Sequence, residues 1–205
     1  MTFRAVVVVG LAYLLGSLDF AVLVARARGV DIYQVGSGNP GTANVLRTLG
    51  RGAATAVMIG DVAKGVVAAI LGELLGGAEV VGYASGCAAV LGHCFPVWHR
   101  FRGGKGVATA GGMVLWLAPL VAVGAAVVWL VLVRLTGISS VGSLAVTVLA
   151  VPALALLDPP AWGVVWLSAV AMLVVVRHRD NLRRLLRGEE RRVRPVHPTR
   201  PDEAR

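Results

Sequence analysis

The sequence predicts an all-α protein that crosses a membrane seven times, with its N-terminus outside and its C-terminus inside. Three observations predict it. Of the 205 residues, 57% are hydrophobic and mean hydropathy is +0.76, above the roughly 45–50% apolar share of soluble domains. The apolar residues fall into runs long enough to span a bilayer. The basic residues gather in the short segments between those runs, as the cytoplasmic loops of a membrane protein do.

The spans follow in order. The first, 5–25, has no A-x-A-like site closing it, contains Asp19 and is followed by Arg26 and Arg28, so it reads as a retained span rather than a signal peptide. The second and third cover 53–75 and 79–98, and the last two cover 139–157 and 161–176. The stretch 107–133 is interrupted by Pro119. It is one helix of about 40 Å or two short helices broken at the proline.

Charge decides between these. If 26–51 lies in the cytoplasm and 107–133 crosses twice, every Lys and Arg except Arg4 and Lys64 falls inside, and the outer loops hold Glu73, Glu79 and Asp158. A single crossing would strand Arg134 and the arginine-rich tail outside, against the positive-inside rule. Residues 1–189 then form one integral-membrane domain, and 190–205, with Pro195, Pro198 and Pro201 among arginines, a disordered cytoplasmic tail.

The net charge of +9 does not point to nucleic acid, because the cations are not spread along a soluble face. Cys87 and Cys94, seven residues apart in one apolar run, stand about 10 Å apart on a helix, too far for a disulfide. No cofactor or metal is expected. His93, Cys94 and His99 lack a ligand spacing, and no acidic cluster exists.

Three polar patches interrupt the apolar chain, and the topology places all of them on the cytoplasmic face. The first, 36–47, formally matches G-x-G-x-x-G, but spans rather than a βαβ unit flank it, so a dinucleotide site does not fit. It is either a flexible connection or an anion-binding nest in which the amides around Gly38 and Gly41 face a phosphate. Ser37, Asn39 and Asn44 would add neutral hydrogen bonds, and Arg47, on a short helix over 42–49, a bidentate clamp. The second, Gly103-Gly104-Lys105-Gly106, is not a Walker A loop. It is either a tight turn or, with Thr109 at the following helix N-terminus, a phosphate cradle.

The third patch, His178-Arg179-Asp180-Asn181, opens an amphipathic interfacial helix with Leu182, Leu185 and Leu186 on one face. His178 and Asn181 lie one turn apart at the membrane boundary, placed either as interface residues or to orient a substrate and carry a proton. Asp61 and Lys64 share a helical face inside the second span. They form an internal ion pair or support the site from behind. Asp19 is a similar case. None of His93, His99 and His178 has an aspartate five residues on, and no G-x-S-x-G elbow occurs.

The three patches, in this order and spacing, resemble the bacterial acyl-phosphate:glycerol-3-phosphate acyltransferases, the PlsY-type membrane family, over nearly the whole chain. The resemblance implies a seven-helix enzyme of the bacterial plasma membrane, with its site on the cytoplasmic face. It implies transfer of a fatty acyl group from acyl phosphate to the sn-1 hydroxyl of glycerol 3-phosphate, giving lysophosphatidic acid and phosphate for phospholipid synthesis. The partners implied are those two substrates and membrane lipids. Ser37, Arg47, Lys105, His178 and Asn181 match the family's active residues. Gly103, Gly104 and Gly106 match the loop assigned to glycerol 3-phosphate, Ser140 and Ser143 a family serine pair, and Glu189 a glutamate needed for integrity. The chain departs from the pattern at Thr42-Ala43, where Ala-Thr is usual, and at Asp19, where proline is usual. A transporter or scramblase of phosphorylated lipids is the alternative, but no internal repeat of the transporter kind is present.

Overall fold

The computed structural model describes residues 2–193. Among them the regular structure is helical throughout: α1 (Phe3–Gly16), α2 (Phe20–Arg26), α3 (Thr42–Gly76), α4 (Glu79–Cys94), a 3-10 turn (Val97–His99), α5 (Val107–Leu117), α6 (Pro119–Thr136), α7 (Ser139–Ala155), α8 (Ala161–Arg177) and α9 (Arg179–Leu186).

Two predicted elements differ in detail, and a third has the form expected. The first span is broken rather than continuous. Ser17 closes α1, and the Asp19 carboxylate restarts the chain as α2 by accepting from the amides of Ala21 and Val22. Asp19 thus serves as a helix cap. The second span begins at Thr42, but Gly50, at φ 82 and ψ −178, separates the short helix over 42–49 from the long one. The 107–133 run is two helices. Ala118 leaves helical geometry and Pro119 opens α6, where its missing N–H is no loss.

Four segments are long and apolar enough to cross a bilayer: Phe3–Arg26, Thr42–Gly76, Glu79–His99 and Pro119–Thr136. A fifth appears if α8 and α9, bent by 56°, count together. The outer surface suits lipid. Leu120, Val123, Val127, Leu130 and Val131 of α6 are all exposed, an apolar band that water would not tolerate.

Helix α4 is central, buried on nearly all sides from Val81 to Cys94, and packs against α1, α3, α5 and α8. Small residues permit this. A Cβ on Gly16 would lie 2.1 Å from the Ala89 carbonyl oxygen, and one on Gly65 2.1 Å from that of Thr109. Lipid tails are as apolar as leucine, so helices here gain by close backbone approach rather than by leaving water. The free thiols of Cys87 and Cys94 are buried in the main cluster beside Val90, Met113 and Val174. The chain past Leu186 turns back. Val193 N–H donates to the Gly137 carbonyl at 2.6 Å, so 190–193, assigned to the tail by sequence, lie against the helices. Residues 194–205 lie outside the described residues.

Candidate active site

The three patches meet around one cavity of about 510 Å³. The first supplies Ser37, Gly38 and Asn39, the second Gly103 and Lys105, and the third Asn181, with Arg102, Arg177, Arg184 and Arg191 completing a cationic wall. These residues come from loops and helix ends far apart in sequence.

The first loop owes its shape to Asn44, in the first turn of α3. Its buried Oδ1 accepts from the Ser37 amide at 2.8 Å, and its Nδ2 donates to the Val35 carbonyl at 3.0 Å. Asn44 is therefore not a direct substrate ligand, because its amide is spent on the loop. Gly38 stands at φ +67, where a Cβ would also sit 2.9 Å from the Tyr33 carbonyl oxygen, so only glycine suits that corner. The Ser37 hydroxyl accepts from the Asn39 amide at 3.4 Å. Gly41 is the N-cap of α3, its carbonyl taking the amides of Asn44 and Val45; it is not among the cavity-lining residues. Replacing Asn44 by alanine takes the partner from the Ser37 amide and cuts the tie from α3 to the Val35 carbonyl, which keeps only the Gly38 amide. Thermal unfolding in detergent should show a loss of about 1–3 kcal/mol.

The second loop is gripped from both sides. Arg177 donates to the Gly103 carbonyl at 2.7 Å and to the Gly104 carbonyl at 2.9 and 3.1 Å, with its guanidinium 5.2 Å from the Phe95 ring. On the other side the Gly104 amide donates to the His93 carbonyl at 3.0 Å. Gly104 and Gly106 shape this loop from its buried side, while Gly103 and Lys105 reach the cavity. Thr109 does not reach it. Its hydroxyl is fully buried, without a partner among the described residues, and its carbonyl is the atom against Gly65 of α3. It faces the α3 contact because it lies one turn into α5, on the side that packs.

In the third patch Lys105 donates to Asn181 Oδ1, and Asn181 Nδ2 donates to Glu190 Oε1 at 2.5 Å. Glu190 also accepts from the Ser140 hydroxyl at 3.0 Å and from Arg184 Nε at 2.7 Å. The glutamate that ties the site together is thus Glu190, whereas Glu189 is exposed. Of the serine pair, Ser140 joins this network. Ser143 does not, since its hydroxyl accepts from the Trp129 indole at 3.2 Å and fastens α7 to α6. Arg47 is half-buried, within electrostatic reach of Arg191, Glu190 and Arg184. Its Nε is buried with no partner among the described residues, and Arg47 is not among the residues that line the cavity.

Electrostatics follow from this crowding. Burial, with Arg184, Arg47 and Arg177 nearby, brings the Lys105 ammonium down to about 8, although Glu190 opposes the fall. Burial would raise Glu190, but hydrogen bonds from Asn181, Arg184 and Ser140 outweigh it and hold the carboxyl below its usual range. Burial and then Lys105 push His178 down to about 4, so its ring is neutral at physiological pH. His178 Nδ1 lies 2.7 Å from the Val174 carbonyl. A carbonyl only accepts, so Nδ1 carries the proton and Nε2 is the basic nitrogen.

A pH profile should reflect these values. After correction for the phosphomonoester's own ionisation near pH 6, kcat/KM should stay level down to pH 5. It should fall as pH rises through about 8, where Lys105 loses its positive charge. Lys105→Arg should remove the alkaline limb.

Known proteins resemble this chain over most of its length. The family model described as Glycerol-3-phosphate acyltransferase matches residues 6–188. The chain belongs to the glycerol-3-phosphate acyltransferase family. A glycerol-3-phosphate acyltransferase of Rubrobacter xylanophilus is 46% identical over 187 residues, 91% of this chain and 94% of the relative. The solved structure of PlsY (YgiH), an integral membrane glycerol 3-phosphate acyltransferase, in its glycerol 3-phosphate form, superposes with a TM-score of 0.88 at 38% identity, covering 92% of this chain and 94% of that one. Its lysophosphatidic acid form gives 0.86 at 37% over the same shares. The family resemblance carried by the three patches therefore holds over the whole folded chain, and the protein is a multi-pass membrane acyltransferase by kinship.

Two residues that shape the site give little signal in the sequence. Arg177 reads as one more inside-positive charge, although it stands next to His178 at a helix end. Glu190 reads as the first residue of the tail, and only its place one residue after Glu189 hints otherwise.

Proposed function

We propose that the protein transfers a fatty acyl group from acyl phosphate to the sn-1 hydroxyl of glycerol 3-phosphate, producing lysophosphatidic acid and inorganic phosphate. One observation carries the reading, within a chain of this family. Lys105, Arg184 and Arg191 line a cavity where three loops converge, and Arg47 with its unclaimed Nε stands close by. Both substrates bear phosphate, and a concentration of fixed cations is what two phosphates require.

An acyl phosphate is already activated, so no protein nucleophile is needed. The sn-1 hydroxyl oxygen bonds to the acyl carbonyl carbon, and the bond from that carbon to the phosphate oxygen breaks. The hydroxyl proton passes to the departing phosphate, directly or through His178 Nε2. Lys105, Arg47 and the amides around Ser37–Asn39 hold the phosphates, and Asn181 orients Lys105. Positioning and preorganised charge supply most of the acceleration. Gly103, Gly104 and Gly106 shape the loop that takes glycerol 3-phosphate.

The reading includes seven crossings within one domain. The α1–α2 pair counts as one bent span, and α3 to α8 each cross once, with the cavity on the cytoplasmic side of a bacterial plasma membrane. Helix α5, with 11 residues, measures about 16 Å, less than the hydrocarbon thickness, so the chain on either side of it completes the crossing. The charge pattern supports this orientation.

The test supplies acyl phosphate and labelled glycerol 3-phosphate to purified protein in detergent. Equal amounts of lysophosphatidic acid and inorganic phosphate are expected. No product would contradict the reading, and uptake into vesicles without product would favour a transporter.

A further inference from the structure

Behind the second loop, away from the cavity, lies a buried ionisable cluster to which the mechanism assigns no step. Lys64 of α3 is 2% exposed. Its ammonium donates to the Leu18 carbonyl at 2.8 Å and to His93 Nδ1 of α4 at 2.9 Å. It also lies 2.8 Å from Asp61 Oδ1, an ion-pair contact without hydrogen-bond alignment, and Asp61 Oδ1 is 3.4 Å from His93 Nδ1. One side chain thus ties the α1–α2 break, α3 and α4 together.

Such a cluster is costly in a membrane interior, and apolar side chains of equal volume usually hold helices as well or better. Its position suggests another use. Because His93 Nδ1 accepts from Lys64, the ring proton sits on Nε2. That nitrogen abuts Gly104, where a Cβ would be 2.2 Å from Nε2 and 2.7 Å from the Pro40 carbonyl oxygen. The same residue's carbonyl accepts the Gly104 amide at 3.0 Å and would lie 2.0 Å from a Cβ on Gly103. His93 is therefore the buttress against which the second loop rests and at which it meets the first.

We propose that Asp61, Lys64 and His93 act as positioning residues. They fix the His93 ring so that the Gly103–Gly104 backbone, and with it Lys105, is held in register with the first loop for binding glycerol 3-phosphate. The proposal rests on the function given above. It extends that function to groups that touch neither substrate. With Arg177 holding the loop's carbonyl side and His93 its amide side, Lys105 has little freedom to retreat from the cavity.

The test uses the full chain in detergent. In His93→Asn the side-chain oxygen still serves Lys64 in place of Nδ1, while the far side of the ring is withdrawn from Gly104. The variant should unfold near the wild-type midpoint, yet KM for glycerol 3-phosphate should rise about ten- to a hundredfold with kcat changed much less. The paired variant Asp61→Asn/Lys64→Met, which leaves no lone buried charge, should behave alike. In a Lys105→Met background the His93→Asn effect should largely disappear, because both act through one loop. A KM equal to wild type in either variant, or an undiminished effect in the Lys105→Met background, overturns the positioning role. Wild-type protein that forms no lysophosphatidic acid overturns it together with the proposed function, so the two failures are told apart by the wild-type assay.

Discussion

Lys105→Met is expected to lower kcat/KM for glycerol 3-phosphate by about 10²–10³-fold while leaving the unfolding midpoint in detergent close to wild type. Lys105 faces the cavity and donates to Asn181, so its charge serves the site and not the helix contacts. Burial already disfavours its ammonium, so an apolar side chain of similar length removes a cost to folding instead of adding one. Steady-state kinetics and a thermal melt on the same preparation separate the two effects. Near-normal turnover would remove Lys105 from phosphate binding.

Glu190→Ala is expected to harm both activity and stability. This carboxylate accepts from Ser140, Asn181 and Arg184 and sits within reach of Arg47 and Lys105. Its loss leaves clustered cations without their counter-charge and frees the amide that aims Lys105. A drop of about 100-fold in kcat/KM and of about 2–4 kcal/mol in stability follows. Glu189→Ala is the control. Its side chain is exposed, and it should behave as wild type. If Glu189→Ala fails while Glu190→Ala is active, the assignment must be reversed.

The architecture was legible where membrane physics leaves few choices. Pro119 and the distribution of arginines called for two helices across 107–133, and α5 and α6 meet at Ala118. The short helix over 42–49 was legible from its position after a glycine-rich loop, and Gly50 marks its end. The break at Ser17–Asp19 was not, because an aspartate inside an apolar run reads as a buried charge until its carboxylate is seen capping α2.

For the site, polar patches and charge identified the converging loops, but residue type did not say which way each side chain turns. Asn44 and Thr109 both looked like ligands by composition. Asn44 spends its hydrogen bonds on its own loop, and Thr109 faces Gly65. Ser140 and Ser143 differ by three residues and share a helix, yet one joins Glu190 and the other Trp129. Nor does sequence show that His93 joins Lys64 and Asp61 in one cluster against Gly104, since Lys64 and His93 stand 29 residues apart on neighbouring helices.

The central claim is that loops distant in sequence share one anion-binding cavity, and a crystal structure with glycerol 3-phosphate bound tests it most directly. The phosphate should lie in the cavity bounded by Ser37–Asn39, Gly103 and Asn181, with Lys105 on it and Arg47 within reach. A phosphate bound elsewhere on the protein, with that cavity holding only solvent, would contradict it.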